Sequence, residues 1–276
     1  DLTNGLAGNV PAGVELVVGD VSDPEAVAGA VAGIEVVFHQ AGLGSVQRSV
    51  EEPRRSDMVN AHGTLVVLDA ARHAGVRRVV AASSSSVYGG VAPLPTREDH
   101  PVLPRSPYAV TKLVLEQYCR VFHELMGVET VALRYFNIYG PRQRVDSPYA
   151  AVIPLFVDAL RSGRPPIIHG DGLQSRDFTF VADAVAANLL AAEAPVERCG
   201  GKVYNVAGGL QHTLLDLLAA IAKILGVDAA AEHTDPRPGD VRHSCADVSA
   251  IRRDLGYEAK VSLDEGLRLT LADTDG

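Results

Sequence analysis

The chain has 276 residues, 47% of them hydrophobic, and a formal net charge of −9 at pH 7. This size and apolar content suffice for a globular core, and an acidic chain without a block of basic residues is unsuited to nucleic acid or an anionic membrane surface. No apolar run approaches the ~18 residues of a membrane span. The three cysteines and nine histidines show no pairing or ligand spacing. We therefore expect no disulfide framework, no metal site and a reducing, cytoplasmic compartment.

Short apolar runs alternate with helical patterns along the first half of the chain. A helix is predicted at residues 24–32, with Ser22 or Asp23 as its N-cap and Pro24 in its first turn. The other predicted helices cover 53–74 and 108–126, and predicted strands cover 14–20, 35–39, 77–83 and 130–136. This alternation predicts a parallel, doubly wound sheet with right-handed crossovers.

The pattern becomes less regular after Gly140, where glycine and proline are frequent. Helices are predicted at 149–162 and 213–225, and strands at 166–170 and 202–206. Such a change is expected where a second, smaller lobe is inserted into an α/β domain.

Tyr108 and Lys112 are four residues apart on a predicted helix, so their side chains project from one face. An ammonium beside a tyrosine favours the phenolate, whose ordinary pKa is ~10, and so gives a base at neutral pH. The serine run 83–86 directly follows a buried strand, and open α/β sheets bind ligands at the carboxyl ends of strands. These groups suit the removal of a proton from an alcohol while a hydride leaves its carbon. Tyr-x-x-x-Lys alone also arises by chance in amphipathic helices.

Five motifs then occur in order along the whole chain. They are Ser-Ser-Ser-Val-Tyr-Gly (84–89), Ser-Pro-Tyr-Ala-Val-Thr-Lys (106–112), Arg-Tyr-Phe-Asn-Ile-Tyr-Gly-Pro-Arg (134–142), Gly-Asp-Gly-Leu-Gln-Ser-Arg-Asp-Phe (170–178) and Arg-Pro-Gly-Asp-Val-Arg (237–242). Together they resemble the extended short-chain dehydrogenase/reductases, specifically the nucleotide-sugar 4-epimerases. The resemblance implies a doubly wound, Rossmann-type parallel sheet with a smaller C-terminal substrate-binding lobe. It assigns 1–140 and 176–207 to the NAD-binding domain, and 141–175 and 208–276 to the nucleotide-sugar lobe.

The resemblance implies NAD as the cofactor and Ser84, Tyr108 and Lys112 as the catalytic residues, with Tyr108 as the base. The residues that it places around the cofactor are Asp20, Val21, Gln40, Ala41, Gly42, Asn60, Ser83, Tyr108, Lys112 and Tyr135. The family's Gly-x-x-Gly-x-x-Gly loop, which puts a pyrophosphate at a helix N-terminus, does not occur in the 276 residues, nor does the first strand-helix-strand unit that carries it. We therefore expect further residues before Asp1.

A UDP-sugar is the implied substrate. The residues implied to contact it are Gly44, Ser45, Ser84, Ser85, Ser86, Tyr108, Phe136, Asn137, Val152, His169, Arg176, Arg237, Asp240 and Ser244. Arg176 and Arg237 are implied to bind the uridine and diphosphate, because an acidic protein needs arginines that fork onto phosphate oxygens. Each of these roles has a structural alternative. The arginines could be solvated surface residues, Tyr135 and Phe136 could be core aromatics, and Asn60 could be an ordinary polar residue of a helix.

Ser85 and Ser86 stand where related dehydratases and decarboxylases carry acidic residues. Without such a proton donor, C4 epimerisation through a 4-keto sugar is favoured. The loop 42–46 and Ser244 resemble the subgroup that accepts UDP-N-acetylhexosamines, although the available volume does not exclude UDP-glucose or UDP-glucuronate. The alternatives are a UDP-glucuronate 4-epimerase, a decarboxylase, a 4,6-dehydratase or a non-catalytic cofactor-sensing protein.

The resemblance also implies a homodimer that pairs the helices at 53–74 and 108–126 into a four-helix contact. The apolar residues of these helices are compatible with either a core or an interface position. They are Val66, Leu68, Leu113, Leu115 and Val121. The sequence does not separate these two roles.

Overall fold

The computed structural model describes residues 1–3, 5–146, 150–236 and 241–272. The α-helices are α1 (Pro24–Val31), α2 (Val46–Glu51), α3 (Pro53–Asp57), α4 (Gly63–Ala74), α5 (Pro107–Met126), α6 (Val152–Arg161), α7 (Val181–Glu193), α8 (Val196–Cys199), α9 (Leu214–Leu225), α10 (Ser249–Leu255) and α11 (Leu263–Ala272). The strands are β1 (Val36–His39), β2 (Arg78–Ser84), β3 (Glu129–Tyr135), β4 (Ile138–Tyr139), β5 (Ile167–His169), β6 (Ser175–Arg176), β7 (Thr179–Phe180), β8 (Lys202–Val206), β9 (His212–Thr213) and β10 (Glu232–Thr234). No helix in these ranges is long and apolar enough to cross a membrane.

The chain forms two compact units. The first comprises Asp1–Ser83, Ser106–Leu133 and Ala191–Val203, and the second contains the remaining described residues. The division into a NAD-binding domain and a sugar lobe, with boundaries at 140, 175 and 207, stays a prediction.

The central sheet has the strand order β1-β2-β3-β8. β1 and β2 pair in parallel, with Val36 opposite Arg78 and His39 opposite Ala81. In the first unit, α4 packs against both α1 and α5. The core of this unit takes up Val66, Leu68 and Leu115, so these three side chains occupy core positions. Burial of each contributes about 1.5–3 kcal/mol.

The segment 14–20 is not a strand, and that prediction is wrong. Its apolar side chains Val14, Val17 and Val18 are exposed. A strand requires a neighbour whose backbone N–H and C=O groups complete the ladder. Within the described ranges β1 pairs only with β2, and no strand pairs with 14–20. Local hydrophobicity therefore does not create a strand there.

The helix predicted at 53–74 contains a π-helical turn, Met58–His62, between α3 and α4. In this turn the backbone N–H of Gly63 donates to the Met58 carbonyl, five residues back. Such turns insert one residue into the helical ladder and are frequent at functional sites. Asn60 lies in this turn and is buried.

Short strand pairs and a second helical core make up the second unit. β4 pairs with β7 and β5 with β10 in parallel, whereas β6 and β9 are antiparallel. α9 packs against α6 and α11 around the buried Leu217, Ile221 and Leu267. The helix predicted at 149–162 begins at Val152, and Tyr149 lies outside the described residues.

The guanidinium of Arg78, at the start of β2, is buried, and all three of its nitrogens donate hydrogen bonds. Its Nε and Nη2 donate to Oε2 of Glu129 on β3, at 2.8 and 2.6 Å. Its Nη1 donates to the carbonyls of Ala191, Ala192 and Ala194 at 2.9, 3.0 and 2.6 Å. One side chain thereby ties two strands of the first unit to the end of α7.

We expect Arg78→Met to lower the free energy of unfolding by about 3–5 kcal/mol, because it leaves a carboxylate and three carbonyls without their buried donor. Urea denaturation measures the change. The neighbouring Arg77 also contacts Glu129 but is 40% exposed, so Arg77→Met should cost less than about 1 kcal/mol. Equal losses in the two variants would contradict this assignment.

Candidate active site

Tyr108 and Lys112 lie on one face at the start of α5. The helix begins there because Ser106 accepts a hydrogen bond from the backbone N–H of Ala109 and Pro107 occupies the first turn. Lys112 is 5% exposed, and its Nζ lies 5.8 Å from the centroid of the Tyr108 ring. The spacing that the sequence predicted is therefore realised as a buried cation beside a half-buried tyrosine.

The Lys112 ammonium donates one hydrogen bond, to the carbonyl of Ala82 on β2, at 2.7 Å. Its other two N–H donors have no acceptor among the described residues. Burial lowers the pKa of Lys112 to about 8, so the group is mostly charged at neutral pH and begins to lose its proton just above. A buried ammonium with two open donors is a ready site for ligand hydroxyl groups.

Asn60 holds the loop that follows β1. Its Oδ1 accepts from the backbone N–H of Leu43 at 2.7 Å, and its Nδ2 donates to the Leu43 carbonyl and to Thr111 Oγ1, both at 3.2 Å. A Cβ built on Gly42 would lie 3.1 Å from Asn60 Oδ1 and 3.4 Å from Lys112 Nζ. The Asn60 clamp, the Gly42 backbone and the Lys112 ammonium therefore meet at one place in the first unit.

A second side chain of α5 binds the end of β2. The hydroxyl of Ser83 donates to the carboxylate of the buried Glu116, one helical turn beyond Lys112. Lys112 and Glu116 thus hold two consecutive residues of β2, Ala82 and Ser83. The sequence analysis did not single out Glu116. Its position four residues after Lys112 would have placed both side chains on the same face of the helix.

The other residues predicted around the cofactor in this unit make local contacts. The Asp20 carboxylate accepts from the backbone N–H and hydroxyl of Ser22, which lowers its pKa. Val21 lies against Gly63 at the end of the π turn. Gln40, Ala41 and Gly44 lie in the loop between β1 and α2, and Ser45 caps α2 by accepting from the backbone N–H of Arg48.

In the second unit, Ser84 ends β2 and leads into a short 3-10 turn. Its Oγ accepts from the backbone N–H of Ser86 at 3.2 Å, and the Ser86 Oγ is buried without a partner among the described residues. Ser85 is the first residue of the turn, which ends at Gly89 with a left-handed φ of 64°. The predicted serines are therefore held in a compact turn.

Tyr88 anchors the end of this serine turn. Its hydroxyl donates to Asn205 Oδ1 at 2.8 Å and accepts from Arg134 Nη1 at 2.7 Å. Burial raises the pKa of Tyr88 to about 12. A buried tyrosine with a raised pKa and two side-chain partners is a structural support.

Tyr135 is the last residue of β3, and Phe136 and Asn137 follow it. Tyr135 accepts a hydrogen bond from Asn188 at 2.7 Å, and Phe136 is buried with its ring 6.3 Å from that of Tyr88. Asn137 has a left-handed φ of 37° and donates to the Asp177 carbonyl at 3.2 Å. The geometry makes Phe136 a packing residue and leaves Asn137 at a distorted strand end.

The carboxylate of Asp177 is fully buried behind Arg176. It accepts backbone hydrogen bonds from Gly208, Gly209 and Ala246 at 3.0–3.1 Å. Burial raises the pKa of Asp177 to about 6, against the opposing effect of these donors. Asp177 therefore joins the loops after β8 and before α10 to the segment that carries Arg176.

The remaining predicted substrate residues surround β5 and β6. His169 Nδ1 pairs with Thr234 Oγ1 at 2.8 Å, and Val152 opens α6. Arg176 Nη1 donates to the Ser175 carbonyl, which also accepts from the backbone N–H of Ser244. Arg237 and Asp240 lie outside the described residues, so their roles stay predictions. The described ranges contain no group of three His, Cys, Asp or Glu side chains suited to a metal ion.

Comparison with known proteins gives a consistent set of relatives. The sequence model of the NAD dependent epimerase/dehydratase family matches residues 2–207. UDP-glucose 4-epimerase of Mycolicibacterium smegmatis is 39% identical, over 98% of this chain and 88% of the relative. UDP-N-acetylglucosamine 4-epimerase from Methanobrevibacter ruminantium, solved in complex with UDP-N-acetylmuramic acid, superposes with a TM-score of 0.94 at 37% identity, over 99% of this chain and 88% of that one.

UDP-glucose 4-epimerase of Thermus thermophilus, solved in complex with NAD, superposes with a TM-score of 0.90 at 34% identity, over 100% of this chain and 89% of that one. Identity above 30% across nearly the whole chain establishes kinship. The α/β fold with a parallel Rossmann-type sheet, predicted from the motifs, is confirmed by these superpositions. The chain belongs to the NAD-dependent epimerase/dehydratase family.

Proposed function

We propose that the protein inverts the configuration at C4 of a UDP-sugar through a 4-keto intermediate, with NAD as its cofactor. The observation that carries the proposal is the buried ammonium of Lys112 beside Tyr108, because this pair is suited to deprotonating an alcohol at neutral pH. The similarity to UDP-sugar 4-epimerases supports the same reaction.

The first unit fits a dinucleotide cofactor. Lys112 has two N–H donors available for ribose hydroxyls, and the absence of a side chain at Gly42 keeps open the space beside Asn60 and Lys112. The Asp20 carboxylate would hold the adenosine end. Tyr135, which the resemblance also assigns to the cofactor, belongs to the second unit. When bound, NAD supplies the acceptor and later the donor of the C4 hydride.

The chain's own residues handle the proton. In the proposal Tyr108, as phenolate, takes the proton of the sugar 4-hydroxyl while Ser84 hydrogen-bonds the same oxygen. Lys112 stabilises the phenolate form of Tyr108 that begins and ends the cycle. Neutral Tyr108 carries the sugar's proton while the ketone exists, and it returns that proton to the 4-oxygen when the ketone is reduced from the other face. Protons therefore balance over the cycle. Ser85 and Ser86 offer no carboxylic acid for a dehydration, which favours epimerisation.

The UDP-sugar itself is proposed from both the chain and its relatives. Arg176 and Arg237 would bind the nucleotide, and Ser244 leaves volume for an acetamido group. One relative is named for UDP-glucose and another for UDP-N-acetylglucosamine. We therefore propose UDP-hexoses or UDP-N-acetylhexosamines as substrates. A homodimer formed through α4 and α5, and location in the reducing cytosol, stay predictions.

The substrate class is tested by incubating the intact protein separately with UDP-glucose, UDP-N-acetylglucosamine and UDP-glucuronate. Proton NMR should reveal the C4 epimer of at least one of the first two sugars, because the proposed residues hold no group that would divert the 4-keto sugar. Conversion of UDP-glucuronate alone would favour the glucuronate epimerase. A 4-keto-6-deoxy sugar or a pentose as product would contradict the proposal, as would no turnover of any of the three.

The role of Tyr108 is tested by Tyr108→Phe. Loss of the proton acceptor should lower kcat by on the order of 10²–10⁴, whereas UDP-sugar affinity should change little. Tyr118→Phe is the matched control, since Tyr118 lies on the same helix but packs against the core of the first unit. An unchanged kcat in Tyr108→Phe would refute the assignment.

The depressed pKa of Lys112 predicts an alkaline limit to activity. As pH rises through about 8, the ammonium loses its proton and no longer stabilises the phenolate. The profile of kcat/KM, which reports on the free enzyme, should therefore fall above pH 8. A profile that stays flat or rises through that range would contradict the role of Lys112 as a charged partner.

A further inference from the structure

His39, the last residue of β1, is buried, and its imidazole ring contacts Thr64. Its Nε2 lies 3.0 Å from Oγ1 of Thr64, in the first turn of α4. Both side chains are almost completely buried. The proposed proton transfer does not involve His39 or Thr64. Because burying polar side chains is costly, their burial calls for a different role.

The hydrogen bonds of Thr64 fix the protonation of His39. The Thr64 hydroxyl lies 2.5 Å from the carbonyl of Asn60, and a carbonyl can only accept. The hydroxyl therefore donates its one proton to Asn60 and must accept from His39, which is then the Nε2–H tautomer. Burial, aided by the charge of Lys112, lowers the pKa of His39 to about 3, so the imidazole stays neutral.

This chain of bonds ends at the residue that clamps the loop after β1. Thr64 binds the backbone carbonyl of Asn60, while the Asn60 side chain binds both backbone groups of Leu43. Asn60 lies in the π turn, where the helical ladder is shifted and the carbonyl gains a bond from a side chain. The loop 40–42 therefore lies between two anchored residues, His39 and Leu43, and both anchors converge on Asn60.

We propose that His39 and Thr64 are positioning residues, which hold the π turn so that Asn60 keeps the loop 40–42 at its distance from Lys112. The inference rests on the proposed function, because that loop is where NAD would lie. The space there is limited, because a single methyl group on Gly42 would crowd Asn60 Oδ1 at 3.1 Å and come into contact with Lys112 Nζ at 3.4 Å. A shift of the π turn would alter the same spacing.

The first test replaces Thr64 by Val, which keeps the shape but removes the hydroxyl. Two buried polar groups then lose their partner, and the dissociation constant for NAD should rise roughly tenfold or more. Thr64→Ser retains the hydroxyl and should restore binding to within about threefold. Titration calorimetry of the intact protein measures the dissociation constant for NAD directly.

A matched control separates positioning from general stability. Thr130 is equally buried in the first unit, and its hydroxyl donates to the Cys119 carbonyl at 2.6 Å. Thr130→Val should lower the melting temperature without changing the NAD dissociation constant. Equal weakening of NAD binding by Thr64→Val and Thr130→Val would overturn the positioning role, as would wild-type affinity in Thr64→Val. Failure of the wild-type protein itself to bind NAD would instead refute the proposed function.

The second test does not depend on the cofactor. Nitrogen-15 spectra of histidine-labelled protein, with His39→Gln to assign the signal, should show a neutral Nε2–H ring between pH 6 and 8. In Thr64→Val this signal should shift, because its acceptor is gone. The Nδ1–H tautomer or an imidazolium in the wild-type protein would overturn the inference.

Discussion

The desolvated ammonium of Lys112 is the constraint on which the first unit depends. A buried charge is costly unless polar groups surround it, and within the described part of the chain this one contacts the Ala82 carbonyl on β2 and the ring of Tyr108. The depressed pKa records that incomplete compensation. Because the protein does not satisfy every N–H of the Lys112 ammonium within the described residues, donors remain for a ligand. The cost in stability and the capacity to bind thus have one physical origin.

The surroundings of Lys112 are fixed by side chains more than by regular secondary structure. The loop after β1 has small residues and few ladder hydrogen bonds, so Asn60 supplies the bonds that a strand neighbour would give. Asn60 lies in the π turn, where its backbone carbonyl accepts from Thr64, and Thr64 in turn contacts His39. At the other end, Lys112 and Glu116 hold consecutive residues of β2. The region around Lys112 and the loop after β1 is therefore held by a few buried polar contacts.

The second unit uses buried polar groups in a similar way, but for support. Tyr88 is bound by Arg134 and Asn205, and the Asp177 carboxylate gathers the backbone of two loops. Each group has partners, so its burial is tolerated and its loop becomes rigid. This support also holds the serine turn, in which the Ser86 Oγ is itself buried. Relatives named for different UDP-sugars share the fold, so family membership constrains the fold and cofactor more than the sugar.

What the sequence determined by itself was local. The helical period placed Tyr108 and Lys112 on one face, and Ser106, Asp23 and Thr213 capped their helices, because capping and i,i+4 spacing depend only on neighbours along the chain. The tertiary structure decided the rest. It left 14–20 without a strand, since strand pairing needs a distant partner, and it buried Tyr88 between Asn205 and Arg134. It also joined His39, Thr64 and Asn60, whose contact depends on a π turn and on burial that no local pattern encodes.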